Sequence, residues 1–387
     1  MVAGVGPLTT GTSSGLVGVK VRLRPNRPSG RLKWRRWASP GYALAPRDPA
    51  LQDRAEHLAN LDLLRAAAVL AVYVGHLAQL FDLNQVGPLS FRLLAQGGVA
   101  IFFVHTSYVL MRTLGRLPEE DRALRFYVRR VFRIYPLSIL VVSTVVLVGI
   151  PAFPTRGYQW PGWSDVISNL ALVQNLTLTP SVLDPLWSLP YEVQMYLLLP
   201  LLFVGVTHPR GPAPILLWLL AVVLALVQEG TTATRLDLAR YAPCFVAGVV
   251  AFARERRSTA RFHWLGWPVV IALAFALRQL GLEVGWLGCL LLGTTVGRFR
   301  PVNVRWIRTS AAWIARYSYG IYLAHLIVFW IAFIRMASAP LAVRIGVCIG
   351  LSVLVPVLLY HAVEAPMIAW GVTLAGQRRS AQLTPSS

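Results

Sequence analysis

From residue 58 onward the chain is a succession of apolar runs separated by short polar connections. Ten runs stand out, at residues 61–81, 93–112, 134–151, 193–207, 213–228, 239–253, 264–280, 284–298, 317–336 and 341–361. Set against the roughly 20 apolar residues that carry a helix across a bilayer, the pattern predicts ten membrane-spanning helices, several of them short. The fold class that follows is all-α, a polytopic transmembrane helical bundle. The pattern breaks between 152 and 192, where an amphipathic piece, WSDVISNLALVQNL, is followed by Pro180, Pro185 and Pro190. That stretch is expected to be a long outer segment, lying in the interface or dipping back where protein covers its backbone.

Composition and charge sharpen this picture. Only 14% of the 387 residues are charged and 56% are hydrophobic, against about 25% charged in a usual soluble domain. The net charge of +21 could suggest a nucleic-acid partner, but the cations sit between apolar runs, so the partner they imply is the lipid bilayer. With the N-terminus inside, the connections near 112–133, 207–212, 254–263 and 298–316 hold 17 Arg, against Arg92, Arg156, Arg235, Arg335 and Arg344 on the other side. That bias predicts cytoplasmic locations for both termini. Residues 1–57 are expected to be a basic, disordered cytoplasmic tail whose RLKWRRW segment can rest on anionic headgroups, with no cleavable signal peptide. The transmembrane domain is expected over 58–370 and a cytoplasmic tail over 371–387. Cys244, Cys289 and Cys348 are far apart and show neither metal-ligand spacing nor a disulfide framework; no metal or bound cofactor is expected.

The first run, LDLLRAAAVLAVYVGHLAQLF, carries Arg65 and His76. Eleven residues separate them, three helical turns plus about 20°, so both face one way, about 16 Å apart along the axis. Polar groups on one stripe of a membrane helix are costly and mark function. Entering from the cytoplasm, Arg65 lies near the membrane face and can hold a phosphate. His76 lies about 22 Å into a core of roughly 30 Å, where an uncharged imidazole can serve as base or nucleophile. The stripe therefore suggests an anionic ligand that enters from inside and reacts near His76. Other polar groups within or closing the runs are Asp62, His105, Thr106, Glu192, His325, His361 and Glu364.

The ordered segments LLRAAAVLAVYVGH, GGVAIFFVHTSYVLMR, FYVRRVFRIYP, LWSLPYEVQMYLLLPLL, SYGIYLAHL and HAVEAPM resemble the acyltransferase 3 family of integral-membrane proteins, over about 58–370. The resemblance implies a multi-pass protein of the bacterial cytoplasmic (inner) membrane that transfers an acyl group, often acetyl from acetyl-CoA as co-substrate, to a hydroxyl of a glycan, a lipid-linked sugar or a small molecule. It places the family's arginine and histidine pattern on Arg65 and His76, and its arginine-rich segment on Arg129, Arg130 and Arg133. The tryptophan-to-glutamate element falls on Trp187, Ser188 and Glu192, followed by Tyr196, and the late pair on Tyr322 and His325. Phe102 and Phe103 are the paired phenylalanines; Thr106 departs from the family's usual serine and glycine. The expected roles are acyl-CoA phosphates on Arg65, Arg129, Arg130 and Arg133, catalysis by His76 with Glu192 orienting or charge-balancing an imidazole, and a pocket of Phe102, Phe103, Thr106, Trp187, Ser188, Tyr196, Tyr322 and His325. With no esterase-like domain after residue 370, transfer is expected to finish within the membrane domain. The alternative is a secondary transporter or flippase for an anionic or lipid-linked substrate, although no internal repeat of the kind such folds carry is visible.

Overall fold

The computed structural model describes residues 49–229, 238–255 and 262–382, with side chains over 59–229, 238–255 and 262–376. The RLKWRRW segment and residues 383–387 lie outside the described residues, as do most of the expected N-terminal tail and the side chains from residue 377 on. The body is helical: α1 (Pro49–Leu80), α2 (Phe91–Leu114), α3 (Arg122–Val148), α4 (Trp163–Ala171), α5 (Gln174–Thr177), α6 (Leu189–Thr207), α7 (Pro214–Glu229), α8 (Leu238–Glu255), α9 (Gly266–Gln279), α10 (Leu282–Thr295), α11 (Arg305–Phe329), α12 (Leu341–Leu359) and α13 (Ala365–Gln382). A two-stranded hairpin, β1 (Gln85–Val86) and β2 (Leu89–Ser90), joins α1 to α2. The Ser90 hydroxyl then caps α2 by accepting the Leu93 N–H.

Each of the ten predicted runs falls on a helix. Six helical segments are long and apolar enough to cross a membrane: Ala59–Leu80, Phe91–Leu114, Arg122–Val148, Asp184–Thr207, Arg305–Arg335 and Leu341–Gly376. Ten crossings would require α7 to α10 to cross as well, and their lengths of 14 to 18 residues reach only about 21 to 27 Å of the core.

Two boundaries differ from expectation in a way that matters. The arginine-rich connection 122–133 is not a loop but the first turns of α3, which carries Arg129, Arg130 and Arg133 into the bundle. Hydropathy cannot see this, because partnered arginines inside a bundle read the same as solvated ones. The chain before α6 also dips inward: a 3₁₀ turn, Asp184–Ser188, buries Pro185, Leu186 and Ser188 and delivers Glu192 to the interior. Covered backbone of this kind is what the interrupted, proline-rich sequence allowed.

α1 packs between α2 and α11, α8 packs on α2, and α13 lies along α3. Small residues set the closest approach, as in membrane bundles generally. A Cβ on Gly98 of α2 would stand 2.5 Å from the Ala68 carbonyl oxygen and 2.9 Å from Val72 Cγ2 of α1. Asn60 fastens the start of α1: its Nδ2 donates to the Phe299 carbonyl (3.2 Å), its Oδ1 accepts from the Val302 N–H (3.2 Å), and its carbonyl accepts from Trp267 Nε1 (3.0 Å).

Gly98→Val should force α1 and α2 apart at a cost of about 1–3 kcal/mol, lowering the Tm of the solubilised protein. Gly205→Ala, where nothing lies within 4 Å of the new carbon, serves as the control. Equal melting of Gly98→Val and wild type would contradict this packing.

Candidate active site between α1, α2, α3, α6 and α11

On α1 the positions 65, 69, 72 and 76 repeat at helical spacing and share one face. Along it runs a sequence of functions: the guanidinium of Arg65, the apolar Val69 and Val72, then the imidazole of His76. Two cavities open against the first part of this face. The first, about 440 Å³, is lined by Arg65, His105, Arg130, Arg133, Glu192 and Tyr196 among others. The second, about 390 Å³, is mostly apolar, with Ala68, Val69, Val72 and Val99 on its walls and Ser188 and Tyr322 as polar members. Phe102, Glu192 and Tyr319 border both.

The charges in the first cavity come from α1, α3 and α6. Arg65 Nε donates to Ser318 Oγ on α11 (2.6 Å), and its guanidinium lies over the Phe102 ring of α2 at 5.3 Å. Arg133 Nη1 pairs with Glu364 Oε2 at 2.5 Å. Glu364 stands at the end of a π-helical turn, Tyr360–Glu364, between α12 and α13, a local register change of the sort found at functional positions. Tyr196 donates its hydroxyl to Glu192 one turn earlier on α6. Three guanidinium groups thus face one lining carboxylate, with Glu364 behind Arg133. Among the described residues, His105 Nδ1, Arg129 Nε, Arg130 Nε and Glu364 Oε1 are buried without a hydrogen-bond partner. Burial at low dielectric makes such groups expensive alone, and the positive surplus suits an anionic ligand.

At the far end of the stripe, His76 Nδ1 and His325 Nε2 are 2.7 Å apart. The rings are within 5° of parallel with centroids 5.0 Å apart; so short an N···N contact at that separation is an edge-to-edge hydrogen bond, not face-to-face stacking. The direction of the bond follows from the other end. His325 Nδ1 lies 2.8 Å from the Tyr322 carbonyl and 3.1 Å from that of Ile321. A carbonyl only accepts, so His325 Nδ1 carries the hydrogen and its Nε2 offers the lone pair. His76 must then donate from Nδ1, leaving its own Nε2 as a free base. This is the direction of the neutral pair; a protonated His325 would keep its Nδ1 hydrogen on the carbonyl and donate from Nε2 to His76 Nδ1 instead. Phe329 and Phe153 fix the rings from the sides, at 5.6 Å from His325 and 6.2 Å from His76.

The structure therefore gathers Arg65, Arg130, Arg133, Phe102, Thr106, Glu192 and Tyr196 around one cavity and Ser188 with Tyr322 around the next. Ser188 Oγ and the Tyr322 hydroxyl are 2.8 Å apart, and Tyr322 donates to the Pro185 carbonyl (2.8 Å), tying the dipping segment to α11. Other expected members fall elsewhere: His76 and His325 line neither cavity. Phe103 stacks on Phe245 (4.2 Å) and Trp187 sits against Tyr241 (5.4 Å), both outside the two linings. Arg129 also lies outside them. Glu192 makes no hydrogen bond to an imidazole; the group that orients His76 is His325. Four contributors did not come forward as site residues from the sequence: His105, Ser318, Tyr319 and, as the partner of Arg133, Glu364. For His105 and Glu364 the signal was there, an ionisable residue in an apolar run; for Ser318 and Tyr319 there was none.

Comparison with known proteins places the chain in a family. The sequence profile of a family described as an acyltransferase domain, acyltransferase 3, matches residues 58–361. The chain is also similar to the peptidoglycan O-acetyltransferase OatA of Listeria monocytogenes serovar 1/2a, at 26% identity over 317 residues, covering 70% of this chain and 49% of the relative. It thus spans about half the length of that curated relative. No solved structure matches the chain.

Removing one member of the α3–α13 ion pair should test the electrostatics of the cavity. Arg133→Leu leaves the Glu364 carboxylate buried without its cation, at a cost of about 3–5 kcal/mol. The double change Arg133→Leu with Glu364→Leu should recover most of that loss in thermal unfolding of the solubilised protein. No recovery would mean that the pair is not coupled.

Proposed function

The chain belongs to the acyltransferase 3 family, and from that premise we propose that it is a membrane-embedded O-acyltransferase. It moves an acyl group, acetyl in the first instance, from acyl-CoA to a hydroxyl of a glycan. Six span-length apolar helices make the chain an integral membrane protein, and the arginine bias supports a cytoplasmic side at Arg65, in the bacterial inner membrane. The observation that carries the reading is the α1 stripe: a cation cluster at one end, an apolar passage along Val69 and Val72, and an oriented base at the other end.

In this mechanism the pyrophosphate of acyl-CoA is held by Arg65, Arg130 and Arg133, whose forked donors match phosphate oxygens. The pantetheine arm passes through the apolar cavity and brings the thioester toward His76. His76 Nε2 takes the proton of the acceptor hydroxyl as that oxygen attacks the thioester carbonyl. The C–S bond then breaks, the ester leaves with the acceptor, and the CoA thiolate takes the proton back from His76. His325 keeps His76 in the tautomer that this requires, the part a carboxylate plays in a serine-protease triad. Glu192 and Glu364 balance the arginines so that the cluster is affordable without ligand. The printed name of the relative, a peptidoglycan O-acetyltransferase, supports a glycan as acceptor class.

The test is release of free thiol from acetyl-CoA by the purified protein, with and without glycan acceptor. Acceptor-dependent release should fall by about 10²–10⁴ in His76→Ala. His325→Ala should lower kcat with little change in KM for acetyl-CoA, and His325→Gln, which retains a carbonyl acceptor for the His76 N–H, should recover part of it. Full activity in His76→Ala would sink the mechanism. Uptake of a glycan precursor into vesicles without thiol release would favour transport instead.

A further inference from the structure

The arginine cavity, at about 440 Å³, is much smaller than the groove beside it. A groove of about 1660 Å³ lies on the same helices, lined by Arg112, Arg116, Arg122, Phe203 and Phe252 together with Glu119 and Glu255. The two are in register. On α2, Arg112 is one turn beyond Val109 of the cavity; on α6, Phe203 is two turns beyond Tyr196; on α3, Arg122 is two turns before Arg130. Phe126 stands between them, 6.2 Å from the Tyr196 ring and 5.9 Å beneath the Arg130 guanidinium.

The groove has the chemistry of a nucleotide site. The Arg122 guanidinium lies over the Phe203 ring at 4.9 Å, and Phe203 packs on Phe252 at 5.7 Å. A guanidinium over an aromatic ring offers a face for a base and a fork for phosphate. Arg112 is bonded to Glu255 at 3.3 Å and Arg122 to Glu119 at 3.5 Å, while Arg116 is exposed and has no carboxylate partner among the described residues. Three cations against two carboxylates leave a positive surplus centred on Arg116. From Arg112 back to Phe102, where the two cavities meet, is about 15 Å along α2.

Resting on the acyl-CoA reading above, we infer that this groove binds the adenosine 3′-phosphate end of the donor. Arg116, with Arg112 and Arg122, holds the 3′-phosphate, and Arg122 on Phe203 faces the adenine. The pyrophosphate then lies inward at Arg130, Arg133 and Arg65, and the arm continues to the apolar cavity. The donor is thus gripped at two separate cationic stations, the outer one reading the feature that distinguishes CoA from a short acyl thioester.

The experiment is titration of the full chain, in nanodiscs of zwitterionic lipid, with adenosine 3′,5′-bisphosphate, alongside acetyl-CoA turnover. Wild type should bind the bisphosphate, and binding should weaken as salt rises. Arg116→Gln should weaken it about tenfold, and Arg112→Gln with Arg116→Gln further. Both should raise KM for acetyl-CoA more than they lower kcat. Arg92→Gln, at the opposite end of α2, should change neither. If acetyl-CoA is turned over while the Arg116 and Arg112 variants bind the bisphosphate as wild type does, the groove assignment falls and the donor reading stands. If wild type neither binds the bisphosphate nor releases thiol from acetyl-CoA, the donor reading itself falls. Anionic phospholipid in the nanodisc that blocks bisphosphate binding in wild type, with Arg116→Gln altering only lipid retention, would assign the groove to a lipid headgroup and overturn the proposal.

Discussion

The cost of placing charge inside a hydrocarbon-surrounded bundle governs this structure. Arg65, Arg130 and Arg133 are only half-exposed where they lie, and each is held by something fixed: a serine hydroxyl and a phenyl ring for Arg65, a carboxylate for Arg133, the Phe126 ring for Arg130. Those partners come from α11, α2, α13 and α3 itself. The cluster therefore ties together helices that are distant in sequence, and the carboxylates reach it only by irregular backbone. Glu192 arrives on a buried 3₁₀ turn and Glu364 on a π turn. Regular α-helical register in either place would change the direction in which the carboxylate points.

The second consequence is a separation of tasks along α1. In the proposed mechanism recognition of negative charge sits at Arg65, while the imidazole pair sits about 16 Å further along the helix axis. The distance keeps the guanidinium field away from the base and fills the interval with Val69, Val72 and Val99, which have no polar group to offer. A ligand with a charged end, a long weakly polar arm and a reactive tip has the matching order of parts. A compact anion would meet only the first cavity, and a neutral sugar would have no use for the arginines.

Much of this was legible in the chain. Each apolar run lies on a helix, because hydrophobic runs in membrane proteins have few alternatives to helix, and six of them fall in segments long and apolar enough to cross a membrane. The alignment of Arg65 with His76 followed from helical spacing alone. What could not be read was partnership. Nothing in local spacing says that Ser318 meets Arg65 across more than two hundred residues of chain, or that Glu364 closes on Arg133. Nor could the inward turn of 122–133 be read, since composition marks arginines as loop-like whether solvent or carboxylates surround them. Glu192 was picked out as important and given the wrong neighbour: it was expected to attend an imidazole, and it attends Tyr196 instead. The paired phenylalanines divide similarly. Phe102 faces the cavities and Phe103 the core, because adjacent residues on a helix point about 100° apart.

The histidine pair shows how far geometry can go without any titration argument. One backbone carbonyl, that of Tyr322, fixes a hydrogen on His325; His325 in turn fixes a hydrogen on His76; and the result is a base with its lone pair on Nε2. With both rings neutral the order cannot be reversed while the carbonyl contact holds, since reversal would put a lone pair against an acceptor. A carboxylate in place of His325 would orient His76 equally well, but it would add a buried negative charge at that end of the stripe. An imidazole performs the same orientation while remaining neutral. In a bundle whose arginines already occupy Glu192 and Glu364, that choice places the base where no further charge has to be compensated.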